Sequence, residues 1–529
     1  MNKALLGKTI LGIFVLGSIL AGCSTAKDVK LTTALSKETT SKAVSFKQTV
    51  KPTQLNVELA TLTAEASNLE VEKGKSLPVW TFNNSVPGPQ IRIKKGKTVN
   101  ITVKNKLTVP ISLHIHGYPL PFKMDGVPGV TQNAIAPGKS FTYTFKATVP
   151  GTYWYHSHQD SVNQVDKGLY GSFVVEDDLV KADRDYTLML DEWMSPSSES
   201  GHEGMMNMSM DMSMPGMDHS STQTDSSGQS EQNTSAQPGH DMSMYDLYTI
   251  NGQTYNSSQP LQVTQGDTVR LRLINAGYLS HSLHLHGHRY RIIATDGNPV
   301  SDPKWVKDKL LSIAPGERVD IEFQADNPGT WYLEKHGSSP RISNMKQRIQ
   351  YTNEQGTKDQ PDPLTKLPTV DLTNYGKSQK GRFSLNDVYD VSYTMNLGTR
   401  EQQGKQEYTI NNKVYPDTEP LSVKTEDKVK VRFVNTSAND DHPMHLHGHT
   451  FQVLSKNGIP LKGSPVYKDT LNVKPGEEYI VAFTANNPGD WMFHCHDLHH
   501  ASAGMVTDLK YNDFQNTFQP DSGLNNTPE

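Results

Sequence analysis

The sequence predicts an all-β protein made of three consecutive β-sandwich domains. The first observation behind this prediction is a strand-like alternation of apolar and polar residues that occurs three times along the chain. The second is a pair of Pro-Gly turns after each alternation, with the second turn thirteen residues after the first in every copy. The third is that no long stretch has helical periodicity. Equal spacing in three copies indicates three homologous units.

The elements of each copy come in the same order. The alternating strand is first, at residues 97–103, 267–273 and 428–433. A histidine-rich stretch follows, and then the first turn, at Pro137, Pro315 and Pro475. After another alternating strand comes the second turn, at Pro150, Pro328 and Pro488. An aromatic strand closes each copy, at residues 153–155, 331–332 and 491–493.

These copies set the expected domain boundaries: residues 51–180 for domain 1, 181–352 for domain 2 and 381–515 for domain 3. Residues 353–380, which are polar and dotted with proline, are expected to be a linker, and residues 516–529 a tail. Residues from about 195 to 244 are of low complexity. We expect them to form a long surface insertion in domain 2, because the residues just before them look like that domain's first strand.

The N-terminus has the pattern of an export signal. Two lysines precede a short apolar run at residues 10–20, which is too short to span a membrane comfortably. The sequence Leu20-Ala21-Gly22-Cys23 resembles a bacterial lipobox, whose cysteine is acylated; a plain secretory signal is the alternative. Residues 1–23 are therefore expected to be a lipoprotein signal peptide and residues 24–50 a flexible tether. The protein would be exported and anchored through Cys23 at the outer face of the bacterial cell membrane.

Composition narrows the class of protein further. The 39 glycines and 31 prolines suit strands and turns, and the net charge of -5 offers no basic patch, so no nucleic-acid partner is expected. With Cys23 assigned to the lipobox, the body of the chain keeps one thiol, Cys495, and no internal disulfide. A single thiol flanked by histidines indicates a metal ligand.

Four His-X-His pairs occur in copies one and three. Residues i and i+2 of a strand project to the same face, so each pair aims two imidazoles in one direction. Together they supply eight imidazoles, enough to hold three copper ions if domains 1 and 3 face each other. The pairs are His114/His116, His156/His158, His445/His447 and His494/His496.

Cys495 lies between two of these ligands and must point to the opposite face of its strand. On that face it can meet His442, His500 and Met505. Two imidazoles, a thiolate and a weak axial thioether make a blue-copper electron-transfer site. An electron that enters there can leave through the Cys495 backbone into its two histidine neighbours.

A zinc site or purely structural histidines would account for less of the pattern. A tetrahedral zinc site needs only about four ligands, and a lone buried histidine is usually structural. Neither explains four repeated pairs together with a cysteine loop. Copy one has Ile111 and Ser157 where copy three has His442 and Cys495, so one electron-entry copper is expected.

With these residues in view, the chain from about residue 50 to 515 resembles the three-domain, laccase-like multicopper oxidases. The motifs that carry the resemblance are His114-Ile115-His116-Gly117, Trp154-Tyr155-His156-Ser157-His158, His442-Pro443-Met444-His445-Leu446-His447-Gly448, and His494-Cys495-His496 with His500 and Met505. The resemblance implies cupredoxin-like Greek-key domains and four copper ions: one type 1, one type 2 and a binuclear type-3 pair. It also implies an enzyme that oxidises its substrate one electron at a time and reduces dioxygen to water with four electrons.

The resemblance further implies a role for each ligand. The type-1 copper would be held by His442, Cys495, His500 and Met505, and the type-2 copper by His114 and His445. The type-3 pair would be held by His116, His156, His158, His447, His494 and His496. Cys495, His494 and His496 would also carry electrons between the centres, which makes them candidate catalytic residues.

Proton delivery departs from the family pattern. Many members have a carboxylate directly after the second type-1 histidine, where this chain has Ala501. Asp125 matches the other acidic residue near the trinuclear centre, and it is the candidate catalytic proton relay. The alternative is an aspartate that only starts a turn.

The insertion in domain 2 bears on the substrate. Thioether sulfur is a soft ligand suited to Cu(I), and the polar neighbours of these methionines provide no apolar core for them to fill. Similar insertions mark the copper-resistance branch of the family, which oxidises Cu(I) to Cu(II). We therefore expect Cu(I) capture by the insertion and a cuprous oxidase in copper tolerance. The residues concerned are nine of the 18 methionines, Met205, Met206, Met208, Met210, Met212, Met214, Met217, Met242 and Met244, with His202, His219 and His240.

Other functions stay open beside this one. Laccase-like oxidation of phenols is one alternative, and a non-enzymatic surface lipoprotein that sequesters copper is another. The expected partners are a small-molecule or metal-ion substrate and dioxygen, and the three-domain enzymes are commonly monomers. The acidic pair Asp440 and Asp441, beside His442, either holds a substrate cation or belongs to a solvated loop.

Domain 2 keeps part of the metal-binding pattern. Its upstream histidines are present, but Glu334 and Lys335 stand where domain 3 has a cluster histidine and the cysteine. We interpret this as a relic of domain duplication in preference to a fifth copper site. The histidines concerned are His281, His284, His286 and His288.

Overall fold

The computed structural model describes residues 51, 53–55, 58–177, 181–195, 244–336, 345–352 and 366–528. The expected signal peptide and tether, almost all of the Met-rich insertion, and part of the expected linker lie outside the described residues. Among the residues that are described, no helix is both long enough and apolar enough to cross a membrane.

Domain 1 is a sandwich of two sheets. Its strands are β1 (Gln54–Leu55), β2 (Leu59–Glu72), β3 (Lys75–Phe82), β4 (Gly88–Lys94), β5 (Thr98–Asn105), β6 (His114–His116), β7 (Ser140–Lys146), β8 (Gly151–His156) and β9 (Tyr170–Glu176). One sheet has the order β3-β2-β5-β7 and the other β1-β4-β9-β8-β6. A 3-10 helix, Phe122–Met124, and a short helix α1, Ser161–Asp166, lie in its connections.

Domain 2 repeats the plan with a six-stranded and a five-stranded sheet. Its strands are β10 (Arg184–Met194), β11 (Tyr245–Ile250), β12 (Leu261–Val263), β13 (Thr268–Asn275), β14 (His281–Leu285), β15 (Tyr290–Thr295), β16 (Asn298–Pro299), β17 (Leu311–Ile313), β18 (Arg318–Gln324), β19 (Thr330–Lys335) and β20 (Lys346–Tyr351). The sheet orders are β11-β10-β13-β18-β15-β16 and β12-β20-β19-β14-β17.

Domain 3 follows a 3-10 helix at Leu372–Asn374. Its strands are β21 (Val391–Gln402), β22 (Lys405–Ile410), β23 (Leu421–Val423), β24 (Lys428–Asn435), β25 (His442–Leu446), β26 (Phe451–Lys456), β27 (Ile459–Pro460), β28 (Val466–Lys468), β29 (Thr470–Val473), β30 (Glu478–Thr484), β31 (Asp490–Cys495) and β32 (Val506–Tyr511). One sheet has the order β22-β21-β24-β30-β26-β27, with β28 beside β26, and the other β23-β32-β31-β25-β29. A short helix α2, Leu498–Ser502, joins the last two strands.

The repeat predicted from the sequence is visible in the strand pairing. In each domain the alternating strand pairs in parallel with an earlier strand, as β5 does with β2, β13 with β10 and β24 with β21. Each also pairs antiparallel with the strand that follows the first Pro-Gly turn, β7, β18 or β30. The predicted fold class, an all-β chain of three β-sandwich domains, is therefore confirmed.

One of the alternating strands is more deeply buried than alternation predicts. Strands β5 and β24 bury every second residue, whereas β13 buries nearly all of them. Domain 1 covers part of the polar face of β13, because Arg272 of β13 donates to Thr152 of β8. Within domain 2, Arg272 also forms ion pairs with Asp185 and Asp320. Domain 2 thus contacts domain 1 through buried charges as well as apolar side chains.

Candidate metal centres

Two antiparallel strand pairs present the histidines of the main cluster. In domain 1, β6 pairs with β8 so that His114 lies opposite His156. In domain 3, β25 pairs with β31 so that His445 lies opposite His494. Each of the eight predicted imidazoles is at most 2% exposed, so the cluster is closed to bulk water.

The two domains meet face to face at this cluster. The ring of His114 stacks on that of His447 with 4.1 Å between centroids, and His116 stacks on His445 at 3.8 Å. Three overlapping groups have all their ligand atoms within 4.8 Å of one another, as a metal cluster requires. These groups are His114/His445/His447, His114/His116/His156 and His158/His447/His494. The eighth imidazole, His496, lies 4.6 Å from His116 between ring centroids.

Hydrogen bonds on the outer side of the rings set which nitrogen faces the cluster. Six of the eight imidazoles use Nδ1 for a contact outside the cluster, and His116 uses Nε2, at 2.9 Å from the Thr470 hydroxyl. For five of them the partner of Nδ1 is a backbone carbonyl: that of Asp125 for His114, Ser157 for His156, Pro528 for His158, Asp469 for His445 and Cys495 for His494. For His447 the partner is the Asp125 carboxylate. Such outer contacts fix ring orientation and tautomer in metal sites.

The inward nitrogens are chemically fit for a metal ion. Among the described residues, Nε2 of His114, His156 and His445 has no hydrogen-bond partner, nor has either ring nitrogen of His496. Burial, with the charge of neighbouring imidazoles, holds the pKa of His116, His156 and His496 well below the ordinary value. Neutral imidazoles offer the lone pair that a metal needs. Borderline imidazole ligands in this number and burial fit copper.

Asp125 lies directly behind two of the ligands. It is 1% exposed, and its carboxylate is 2.9 Å from Nδ1 of His447 and 3.2 Å from Nδ1 of His114. Burial raises the pKa of Asp125, but the interactions with His447 and His114 outweigh burial and lower it. The carboxylate therefore contacts and orients two cluster imidazoles, which goes beyond the turn-forming alternative.

Cys495 faces away from this cluster, as strand pleating predicts. Its Sγ is 3.6 Å from Nδ1 of His500 and 3.9 Å from Nδ1 of His442, and the two imidazole nitrogens are 3.2 Å apart. The three residues form a second group with ligand atoms within 4.8 Å. Met505 is fully buried in the same core cluster, and its carbonyl accepts from the Cys495 amide at 3.0 Å. The thiol and the two imidazoles fit copper as well, and Met505 places a thioether-bearing side chain in the same core cluster.

Several residues around this second group were not predicted from the sequence. Tyr408 stacks on His500 at 3.8 Å between ring centroids, and the Ser437 hydroxyl is 2.7 Å from Nε2 of His442. Asp497 caps α2, and its Oδ2 lies 3.3 Å from Nε2 of His500, while burial raises its pKa to about 7. Ala501 is buried against apolar side chains, so the position that carries a carboxylate in many relatives is apolar here.

A buried ion pair between domains 2 and 3 also supports the main cluster, and no sequence motif signals it. Asp469 has a carboxylate oxygen 3.3 Å from Nε2 of His116 and 3.4 Å from Nδ1 of His445. Arg318 at the start of β18 donates to both oxygens of Asp469, at 2.6 Å each. Both side chains are buried, and a second buried acid, Asp296, lies 3.6 Å from the guanidinium. These residues belong to no repeated pattern, so their role could not be predicted.

The C-terminal segment, residues 516–528, closes the cluster on the domain 1 side. The Pro528 carbonyl lies 2.7 Å from Nδ1 of His158, and the Thr527 carbonyl accepts from the Asp160 amide at 2.7 Å. Gln159, which lies between His158 and Asp160, donates to the Asn525 carbonyl at 2.9 Å. The segment predicted as a tail therefore contacts a cluster residue.

The acidic pair beside His442 is held by neighbouring side chains. Asp440 accepts from the Thr399 hydroxyl at 2.7 Å. Asp441 accepts from Ser280 of domain 2 at 3.1 Å and from Asn472 at 2.8 Å. These bonds give both carboxylates a structural role at the edge of domains 2 and 3.

The histidines of domain 2 separate into different environments. His281 lies 3.2 Å from Glu192, and His288 hydrogen-bonds to the Tyr351 hydroxyl at 2.8 Å. Lys335, at the position of the cysteine, lies over the Tyr248 ring and cannot act as a thiolate ligand. The remaining two, His284 and His286, form a group with His336, a residue that was not predicted from the sequence.

Comparison with known proteins agrees with the geometry. Two sequence profiles, both described as Multicopper oxidase, match residues 63–179, and residues 220–339 together with 387–515. The multicopper oxidase MmcO of Mycobacterium tuberculosis is 30% identical over 94% of this chain and 96% of its own length. Copper resistance protein A of Escherichia coli is 25% identical over 83% of this chain and 90% of its own.

A solved structure shows the same architecture. The crystal structure of a multi-copper oxidase from Pseudomonas thermotolerans superposes with a TM-score of 0.60 at 25% identity, over 87% of this chain and all of that one. The profiles, the relative at 30% identity and the buried ligand groups agree on one family. The chain therefore belongs to the multicopper oxidases, as a copper-binding oxidoreductase that acts on a small-molecule or metal-ion substrate with dioxygen.

Proposed function

We propose that this protein oxidises Cu(I) to Cu(II) in copper tolerance and reduces dioxygen to water with the four electrons collected. The observation that carries the proposal is the orientation of β31, on which Cys495 faces one ligand group and its flanking histidines face the other. A thiolate between two cluster ligands serves electron transfer, whereas copper storage has no need of it. Bound copper would supply the one-electron redox chemistry.

The ligand assignment follows from the two groups. We propose a type-1 copper on His442, Cys495, His500 and Met505, and a type-2 copper on His114 and His445. For the type-3 pair we propose His158, His447 and His494 on one ion and His116, His156 and His496 on the other. The support is the distance between ligand atoms, below 4.8 Å within the group His158/His447/His494, and the ring contacts that His496 makes with His116 and His156.

The chain's own residues provide the connection between the two sites. The Cys495 carbonyl lies 2.9 Å from Nδ1 of His494, so a hydrogen bond parallels the covalent route between them. We retain Asp125 as the candidate proton relay, because its buried carboxylate contacts both His114 and His447. Its contacts also orient both imidazoles toward the proposed ions.

The position of the insertion supports Cu(I) as the substrate. The residues on either side of the insertion are hydrogen-bonded to each other, since the Ser195 amide donates to Asp246 at 2.9 Å. Next to that junction, the Tyr245 hydroxyl lies 3.0 Å from Nε2 of His499. His499 belongs to α2, which also carries the proposed type-1 ligand His500. A Met-rich segment that starts and ends here is well placed to pass Cu(I) to the electron-entry site.

The test is oxygen uptake by copper-loaded protein with Cu(I), Fe(II) or a phenol as donor, before and after deletion of residues 201–243. The hydrogen bond between Ser195 and Asp246 shows that the two ends of the insertion lie close together. Residues 196–200 are therefore long enough to connect them after the deletion. We expect the deletion to raise the KM for Cu(I) and to leave phenol oxidation unchanged. Unchanged Cu(I) turnover at low concentration would refute capture by the insertion, and copper binding without oxygen uptake would support the sequestration alternative.

We also propose export and anchoring through acylated Cys23, as a monomer. The support is the Leu20-Ala21-Gly22-Cys23 pattern after a short apolar run. Labelling of growing cells with a fatty-acid analogue should mark the wild-type protein and leave Cys23→Ala unmarked. Equal labelling of both would contradict the anchor.

A further inference from the structure

Three imidazoles of domain 2 converge at a place outside the copper centres. His284 lies in β14 and His286 directly follows that strand, and this i, i+2 spacing projects both side chains to the same side. His336, just after β19, completes the group, and the ligand atoms of all three lie within 4.8 Å of one another. Their ring centroids are separated by 4.4, 5.0 and 5.7 Å.

A carboxylate completes the group. Glu334 of β19 lies opposite His284 in the strand register, and its Oε1 is 3.3 Å from Nε2 of His286 and 3.8 Å from Nε2 of His336. Its other oxygen is 2.8 Å from the ammonium group of Lys346. Lys346 thus orients the carboxylate, so that one oxygen faces the imidazoles.

The group is accessible to an ion from solvent. His284 and His286 are buried, but the side chains of His336 and Glu334 remain 16% and 24% exposed. The eight-histidine cluster between domains 1 and 3 has no such opening, since its imidazoles are at most 2% exposed. A labile ion could therefore exchange here while the buried copper centres keep theirs.

We propose that His284, His286, His336 and Glu334 bind one divalent transition-metal ion of the Zn(II) or Cu(II) class. Three imidazoles and a carboxylate suit an ion of borderline softness, and they lack the soft thiolate or thioether that favours Cu(I). The site occupies the domain 2 position that corresponds to half of the eight-histidine cluster. It revises the interpretation of His284 and His286 as a relic of duplication, and that interpretation stays a prediction for His281 and His288.

The site is tested by zinc uptake of the full-length, copper-loaded protein, after a chelator has removed loosely bound copper. Equilibrium dialysis against Zn(II) would be compared between wild type and His284→Gln, with His288→Gln as the matched control. His288 is buried in the same domain but bonds to Tyr351. We expect wild type and His288→Gln to bind one more zinc ion per chain than His284→Gln. Histidines of the insertion contribute equally to all three proteins and cancel.

A second variant keeps the test decisive if His284→Gln fails to fold. Glu334→Gln preserves side-chain size and removes the anionic ligand, so it should weaken zinc binding about tenfold or more, as loss of a metal-site partner does. Equal zinc uptake and affinity in wild type and both variants would overturn the proposal. The readout is independent of oxygen uptake, so a failure of the proposed cuprous oxidase activity would leave this result interpretable.

Discussion

Gly316 shows how one residue of domain 2 limits the geometry of the main cluster. It occupies the first Pro-Gly turn of that domain with a φ of +79°, a conformation that favours glycine. A Cβ at this position would lie 2.7 Å from Cγ of His496 in domain 3. Gly476, in the equivalent turn of domain 3, has a φ of +73° and no atom within 4 Å of such a Cβ.

These two glycines form a matched pair for mutation. Both Gly316→Ala and Gly476→Ala should lose about 1–2 kcal/mol of stability from the left-handed backbone alone. Only Gly316→Ala should also displace His496, and so lower the copper content of the eight-histidine cluster. Thermal unfolding and copper analysis of the two variants check this, and equal copper content in both would contradict the contact.

The grouping of the proposed ligands could be predicted from residue types and spacing, but the residues that support them could not. In a strand, the two histidines of a His-X-His pair point to one face, and a cysteine between two histidines points to the opposite face. Asp469, Thr470 and Ser437 contact ligands from strands or turns with no distinctive spacing. Their roles depend on how strands from different parts of the chain meet, which local pattern does not encode.

At the scale of elements, the C-terminal segment is a structural part of the cluster. Residues 516–528 contact domain 1 through the backbone and side chains of residues 158–160. The sequence did not predict the contact, because this stretch contains no strand and bonds through scattered groups, among them the Pro528 carbonyl and the Asn526 side-chain amide. Strand pleating, by contrast, correctly predicted the opposite orientations of Cys495 and its neighbours.

Shortening this segment should lower the copper content of the eight-histidine cluster more than that of the Cys495 site. Removal of residues 528–529 deletes the carbonyl that lies against Nδ1 of His158, and removal of 516–529 deletes the whole contact. We expect both deletions to lower the copper content of the eight-histidine cluster, the longer deletion more than the shorter. Both variants should keep the blue thiolate-to-copper band of the Cys495 site. Copper analysis with absorption spectroscopy measures both quantities. Full copper content after the longer deletion would contradict this role.

At the scale of the whole molecule, domain 2 supports a cluster to which it gives no ligand. Arg318 of domain 2 binds Asp469 of domain 3, which in turn contacts His116 of domain 1 and His445 of domain 3. All three domains therefore meet at one buried ion pair. The sequence predicted three homologous domains, yet which faces they bury against each other depends on such pairs, and these have no repeated pattern.

Loss of the Arg318–Asp469 ion pair should lower the free energy of unfolding. Arg318→Met leaves Asp469 and Asp296 buried without their guanidinium partner, which typically costs about 3–5 kcal/mol. We expect a lower thermal midpoint and less copper in the cluster. Arg184→Met removes an exposed ion pair with Asp267 in the same domain and should change neither measurement appreciably. Equal effects of the two substitutions would show that the buried pair has no special role.

We propose that Cys495 connects electron entry on one face of β31 to dioxygen reduction on the other. Cys495→Ser tests it most directly, because it removes the thiolate and leaves all eight cluster histidines in place. With Cu(I) or a phenol as donor, the copper-loaded wild type should consume oxygen, and the variant should retain its cluster copper and lose that uptake. Oxygen consumption by Cys495→Ser at the wild-type rate would contradict this role of the thiolate.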